Sequence, residues 1–170
     1  RQPVQDGTGK APELAKEFVG GSSFLLTYGD ILVKAGTYQQ MLDRWAEGEF
    51  SGLVTVTGSE DVTKGGLFFF DQEFRLQHLV EKPSEDQLAD LRVSGLLKLG
   101  EPVWYNAGIY CFNPVIFEYT AQLSKSPRGE YELTDAIEAM LSEEHILAGL
   151  AIAGRWVDVR DPEVLRELQG

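Results

Sequence analysis

Short apolar runs and stretches of helical spacing alternate along the chain, separated by turn residues. Ala11–Phe18 reads as a short helix, with Pro12 in its first turn and Gly20-Gly21 as its stop. Phe24-Leu25-Leu26-Thr27-Tyr28 is almost free of polar residues and halts at Gly29-Asp30, which suits a central strand buried on both faces. Tyr38, Met41, Leu42 and Trp45 recur at helical spacing, with Thr37 as N-cap and Gly48 as stop. Leu53–Thr57 is β-rich, and Leu67–Phe70 and Phe74–Val80 flank a hairpin turn at Asp71-Gln72-Glu73. Gly108–Phe112 is a further strand, after which Asn113-Pro114 opens a helix to about Leu123. Leu133, Ile137, Met140 and Leu141 stripe another helix, and Trp156–Val159 is a short strand. Asp161-Pro162-Glu163 opens a closing helix, with Val164, Leu165 and Leu168 as its buried stripe. With no repeat and no linker, this alternation predicts one α/β domain over residues 1–170, a mixed, mainly parallel sheet with flanking helices.

Composition narrows the partners. Hydrophobic residues make up 43% and charged residues 25% of the 170, an ordinary globular mix. The 27 acidic against 15 basic residues give a net charge of -12, which disfavours nucleic acid and anionic membrane surfaces. A small phosphorylated molecule stays compatible, because a few local cations outweigh the global field. Cys111 is the single cysteine, so no intrachain disulfide forms and a reducing, cytoplasmic setting is expected. No apolar run approaches the roughly 18 residues of a membrane span. The chain opens on Arg1 rather than Met, which points to a truncated or processed chain.

Four constellations carry chemistry. Tyr28-Gly29-Asp30 ends a buried strand, where α/β sheets bind ligands and a carboxylate can hold a hard cation. As a residue by itself, Asp30 is equally suited to capping the next turn. Gln5-Asp6-Gly7-Thr8-Gly9 can free backbone N–H groups for a ligand, and Gln5 offers an amide for a base edge. As a bare pattern it also reads as a loop. Glu81-Lys82-Pro83 pairs a hydroxyl acceptor with a phosphate cation, or forms a solvated surface pair. In Trp156-Val157-Asp158, period-2 alternation puts Trp156 and Asp158 on one face, offering a second carboxylate beside Asp30.

Taken in order, these segments resemble the sugar-1-phosphate nucleotidyltransferases, the nucleoside-diphosphate-sugar pyrophosphorylases. The match runs through Gln5–Ala11 (QDGTGKA), Phe24–Asp30 (FLLTYGD), Glu81-Lys82-Pro83, Asn106–Tyr110 (NAGIY), Arg128–Asp135 (RGEYELTD), Trp156–Val159 (WVDV) and Asp161-Pro162-Glu163. The resemblance implies a Rossmann-like fold and Mg²⁺-dependent transfer of a nucleotidyl group from a nucleoside triphosphate to a sugar 1-phosphate, with release of pyrophosphate. It implies Asp30 and Asp158 as Mg²⁺ ligands. Gln5, Gly7 and Thr8, with Asp30, fall on the nucleotide side, and the Gln-x-Gly-Thr-Gly form favours UTP or dTTP. Gly66, Glu81, Lys82, Asn106 and Gly108 fall on the sugar-phosphate side. Lys82 and Arg128 are the cations implied at the reacting phosphates. Partners are then a nucleoside triphosphate and a sugar 1-phosphate, with no nucleic acid or membrane, in a chain that could form a homo-oligomer.

Other residues read as structural. Phe68, Phe69 and Phe70 suit the core, Cys111 a buried strand, and neither His78 nor His145 has a nucleophile to serve. The family's N-terminal strand and G-x-G-T-R-L-x-P-L-T loop do not occur in the 170 residues. The expectation is that the chain alone has negligible transferase activity. The alternative is a non-catalytic binding or regulatory module; a non-sugar phosphate acceptor such as phosphocholine is a weaker third reading. Ser84–Val103 is longer than its family counterpart and reads as a helical insert, a lid or a subunit contact. Arg160 stands where the family commonly has Gly.

Overall fold

A computed structural model describes residues 4–58, 60–159 and 164–166. A 3₁₀ turn at Pro12–Ala15 leads into α1 (Lys16–Val19), β1 (Phe24–Thr27), β2 (Ile31–Val33) and α2 (Gly36–Ala46). Then follow β3 (Gly52–Thr57), β4 (Gly66–Phe70), β5 (Leu76–Glu81) and α3 (Glu85–Val93). The chain continues through β6 (Trp104–Phe112), α4 (Ile116–Gln122), α5 (Leu133–Ser142), β7 (Leu147–Ala151) and β8 (Trp156–Asp158).

β6 organises the six-stranded sheet, whose order is β5-β4-β6-β3-β7 with β1 also on β6. One side of β6 pairs with β3; the other pairs first with β4 at Trp104–Tyr105, then with β1 from Ile109 to Phe112. β1, β3, β4 and β7 run in one direction, so the sheet has the prevailing sense expected of an α/β domain. Because β6 and β5 run against them, β3–β7 is the parallel pair and the other described pairs are antiparallel. β2 and β8 form a separate antiparallel ladder.

Alternation along the strands feeds two layers. Val54, Val56, Tyr110 and Phe112 face α4 and α5, meeting Ile116, Phe117, Leu133, Ile137 and Met140. Leu53, Ile109 and Cys111 face the other way, onto Met41 of α2. Cys111 is therefore buried, and burial pushes its thiol up to about 11, so it behaves as a small hydrophobe. Phe68 is in the core; Phe69 is half-buried and stacks on His78. The hairpin turn forms as expected, with Asp71 Oδ1 accepting the Glu73 and Arg75 N–H groups at 2.9 Å each. Asn113 Oδ1 accepts the Val115 N–H at 3.1 Å in the turn ahead of α4, whose N-cap is Val115 rather than Asn113.

Several expectations give way. β1 lies at an edge of the described sheet, half-buried and exposed in alternation, rather than buried on both faces. Thr37 is inside α2 and buried, not its N-cap, which is Ala35. β2 and β7 were not anticipated: β2 has three residues and β7 is cut by Gly149. Leu165 is half exposed, and residues 160–163 and 168, on which Arg160 and the rest of the closing motif fall, lie outside the described residues. The 84–103 stretch contains α3, opened by a capping box in which Ser84 and Gln87 exchange bonds. Leu88 and Leu91 bury against Leu67 and Tyr105, while Leu96 and Leu99 stay exposed.

Candidate functional site

The cleft begins at a bulge in β6. Val54 pairs with Tyr110 and Val56 with Asn106, so Ala107, Gly108 and Ile109 oppose Thr55 alone. Thr55 Oγ1 donates to the Ile109 carbonyl at 2.7 Å and holds the irregularity in place. Gly108 has φ +75, and a Cβ there would stand 2.7 Å from Tyr28 Cδ2. Only glycine suits both the left-handed backbone and the approach of Tyr28. Asn106 Oδ1 accepts the Gly108 N–H at 3.1 Å and the Tyr110 hydroxyl at 2.9 Å. The Tyr110 hydroxyl is also 3.2 Å from that of Tyr28, so Asn106 is locked in place by its neighbours. The NAGIY segment thus bends the strand and fixes an amide at the cleft wall.

The β4–β5 pair supplies the adjoining wall. Gly66 faces Glu81 in register, and a Cβ on Gly66 would meet Glu81 Oε2 at 2.9 Å. Glycine here leaves room for the Glu81 carboxylate. Burial pushes the Glu81 carboxyl up; Arg128 opposes that and Glu132 adds to it. The next residue, Lys82, has φ +43 although it is not glycine and precedes Pro83, which favours extended backbone. Its N–H donates to the Gly65 carbonyl at 3.1 Å, and its side chain lines the cleft. A positive φ of this kind costs about 1–3 kcal/mol and concentrates at ligand sites.

The 126–134 segment closes the third side. Gly129, at φ +80, turns the chain, and the Ser126 N–H donates to the Glu130 carbonyl at 2.8 Å. Arg128 Nη2 donates to Glu132 Oε1 at 2.8 Å and reaches Glu81 Oε1 at 3.5 Å. Burial works against the Arg128 charge, but the two carboxylates outweigh it and hold the guanidinium protonated.

The Gln5–Gly9 segment packs behind this loop. The Tyr131 N–H donates to the Asp6 carbonyl and the Gly9 N–H to the Tyr131 carbonyl, both at 2.8 Å. A Cβ on Gly7 would collide with the Tyr131 backbone at 2.3 Å. Thr8 Oγ1 accepts the Leu133 N–H at 3.1 Å, capping α5 from a distant part of the chain. Lys10 Nζ reaches the Thr120 and Ala121 carbonyls at the end of α4.

The β2–β8 ladder brings the two aspartates to neighbouring rungs. Ile31 pairs with Asp158, and the Val159 N–H donates to the Asp30 carbonyl at 2.8 Å. Ile31 and Asp158 line the cleft; Asp30 is exposed beside it. Trp156 Nε1 donates to the Ala107 carbonyl at 2.8 Å, tying the ladder to the bulge.

Of the residues singled out in the sequence, Thr8, Gly66, Glu81, Lys82, Asn106, Gly108 and Asp158 line one open cleft. Arg128 stands at its rim through Glu81, whereas Gln5, Gly7 and Asp30 are not in the lining. Tyr28, Lys64, Tyr105, Glu130, Glu132, Thr134 and Trp156 also line it. Glu132 and Thr134 belong to the quoted RGEYELTD segment, but nothing in their spacing assigned them a role. No residue of 84–103 lines this cleft. The insert instead borders a second groove, with Phe68–Phe70, Phe74 and Trp104, that holds none of the candidate residues. Among the described residues no group of three or more His, Cys, Asp or Glu is arranged to hold a metal ion. No helix among them is long and apolar enough to cross a membrane.

The chain is similar to several known proteins over nearly its whole length. The low-salt glycan biosynthesis nucleotidyltransferase Agl11 of Haloferax volcanii is 29% identical over 161 residues, covering 95% of this chain and 41% of its own. The bifunctional protein GlmU of Methanocaldococcus jannaschii is 33% identical over 157 residues, covering 92% and 33%. Glucose-1-phosphate thymidylyltransferase of Neisseria gonorrhoeae is 28% identical, covering 98% and 53%. Thus the chain spans about a third to a half of the length of these relatives. A UDP-glucose pyrophosphorylase structure complexed with UDP-glucose shares the fold at TM-score 0.79 and 19% identity, over 98% of this chain and 62% of that one. A Bacillus anthracis structure crystallised with sucrose does so at 0.74 and 21%, over 98% and 61%. The family model for nucleotidyl transferases matches residues 1–169, and the chain belongs to that family.

Proposed function

We propose that this chain forms most of the catalytic domain of a sugar-1-phosphate nucleotidyltransferase, transferring a nucleotidyl group from UTP or dTTP and releasing pyrophosphate. The observation that carries the reading is the convergence of Glu81, Lys82, Asn106, Gly66 and Gly108 with Asp158 in one cleft. Glu81 and Asn106 supply acceptor and amide groups for sugar hydroxyls, and Gly66 and Gly108 leave the room that Glu81 and Tyr28 take at the cleft wall. Lys82 and Arg128 supply positive charge for the sugar phosphate. That phosphate is already ionised at neutral pH, so its oxygen can attack the α-phosphorus without a general base. The residues' task is to bring two anions together and align them.

Asp30 and Asp158 are the residues that would hold Mg²⁺: the Val159 N–H bond to the Asp30 carbonyl keeps their backbones adjacent, and both offer hard oxygen ligands. When bound, Mg²⁺ supplies neutralising charge for the two phosphates. The outer edge of β1 supports a larger catalytic domain: an apolar strand that reads as central has Leu25 40% exposed there.

The test is pyrophosphate release by the full-length protein with UTP or dTTP, glucose 1-phosphate, N-acetylglucosamine 1-phosphate or mannose 1-phosphate, and Mg²⁺. Turnover abolished by EDTA and restored by Mg²⁺ is expected. Sugar-phosphate binding without turnover in the full-length protein would replace the enzyme reading with that of a binding module.

A further inference from the structure

Glu132 is placed where a helix would use it, and does something else. It is the N-cap of α5, in extended conformation, yet its side chain makes no capping bond. The cap comes from Thr8, far away in sequence. The Glu132 side chain is 8% exposed and turns toward the cleft, where it accepts from Arg128 Nη2 at 2.8 Å and from Ser126 Oγ at 3.2 Å. Burying a carboxylate against an arginine contributes little net stability, because desolvation offsets the attraction. A local cap would have served folding better. What the placement does achieve is to fix a guanidinium whose other contact, Glu81 at 3.5 Å, is long and exchangeable.

Resting on the reading of the site above, we infer that Glu132 is the positioning residue for Arg128. Its buried carboxylate anchors the guanidinium at the mouth of the cleft, ready to leave Glu81 for the phosphate of a sugar 1-phosphate. Binding then does two things at once. Glu81 is released to accept a sugar hydroxyl, and Arg128 keeps its Glu132 bond while turning its remaining N–H donors to the phosphate. The sugar and its phosphate are thereby sensed together. A free sugar frees Glu81 without giving Arg128 a new partner, and inorganic phosphate takes Arg128 without using Glu81.

The test uses the full-length protein and calorimetric titration with glucose, N-acetylglucosamine and mannose 1-phosphates, and separately with UTP and dTTP. Glu132→Gln keeps the shape and removes the charge. It should weaken the sugar 1-phosphate about tenfold, the scale of one charge-assisted bond. Nucleotide affinity should stay within about twofold, a split that general loss of structure would not give. Arg128→Met should cause a similar loss, and adding Glu132→Gln to it should cause no more, since both act through one contact. Additive losses, or equal weakening for both ligands, would overturn the positioning role. If the unaltered protein binds none of the sugar phosphates, the reading of the site fails and this inference with it.

Discussion

At the scale of single residues, Gly108 and Glu81 show opposite relations between stability and chemistry. Gly108 serves both. Gly108→Ala would force a left-handed backbone on alanine and press its Cβ to 2.7 Å from Tyr28. A loss of about 1–3 kcal/mol in urea unfolding is expected, with disorder at the Asn106 side chain. Glu81 serves the site at the expense of the fold. Its folded carboxyl titrates above the ordinary range because it is buried. The native state therefore binds the proton more tightly than the unfolded chain. The corresponding stability is fully present below the ordinary carboxylate range and is lost as pH rises through the raised value. Glu81→Gln should make unfolding stability flatter with pH across that window and higher on its alkaline side. It should also weaken sugar-phosphate binding about tenfold, the scale of a lost hydrogen bond to a charged group. Unchanged stability at about pH 8 would contradict the sign argued here. The sequence showed Glu81 because Glu-Lys-Pro is a compact signal. It did not show Glu132, whose role depends on Arg128 meeting it across a glycine turn.

At the scale of elements, local patterns were legible and long-range ones were not. Strand β3, the β4–β5 hairpin and helix α5 could be read because each carries its own periodicity and turn residues. The start of β6 at Trp104 and the parallel strand β7 could not, since they are made by pairing with β4 and with β3 rather than by their own residues. The cap of α5 is the plainest case: Thr8 and Leu133 are brought together only by the fold. Thr8→Val keeps the shape and removes the acceptor. It should cost about 1 kcal/mol and loosen the first turn of α5, seen as faster amide exchange at Leu133 and Thr134. A second tie holds the opposite end of that helix. His145 lies 2.9 Å from Ser51 Oγ and 2.8 Å from the Tyr119 hydroxyl, which donates to Glu143 at 2.8 Å. His145→Phe would leave Ser51 unpaired and cost about 1–3 kcal/mol by thermal or urea unfolding, without altering ligand affinity at the distant cleft.

For the whole molecule, charge sets two effects against each other. The -12 net charge means that compaction works against self-repulsion, which dissolved salt screens. Salt also weakens the ion pairs that offset it. Four of these, Lys10–Glu13, Arg44–Glu47, Lys64–Asp61 and Lys98–Glu101, are short-range pairs of partly exposed side chains. Each is worth only about 0–1 kcal/mol, so their loss is small beside relief of the acidic excess. The melting temperature of the 170-residue chain should therefore rise as NaCl increases from about 10 to about 150 mM, over which the Debye length falls from about 30 to about 8 Å. The same field acts on an arriving ligand. Glu81, Glu130, Glu132 and Asp158 line the cleft against Lys64 and Lys82, with Arg128 held by two carboxylates at the rim. An anionic sugar phosphate must approach a negative surface before it reaches those cations, so its association rate should also rise with salt over that range. Stopped-flow binding at several NaCl concentrations measures this. A rate that falls with salt would show the local cations governing the approach, and would mean that the acidity of the chain is no barrier to an anionic ligand.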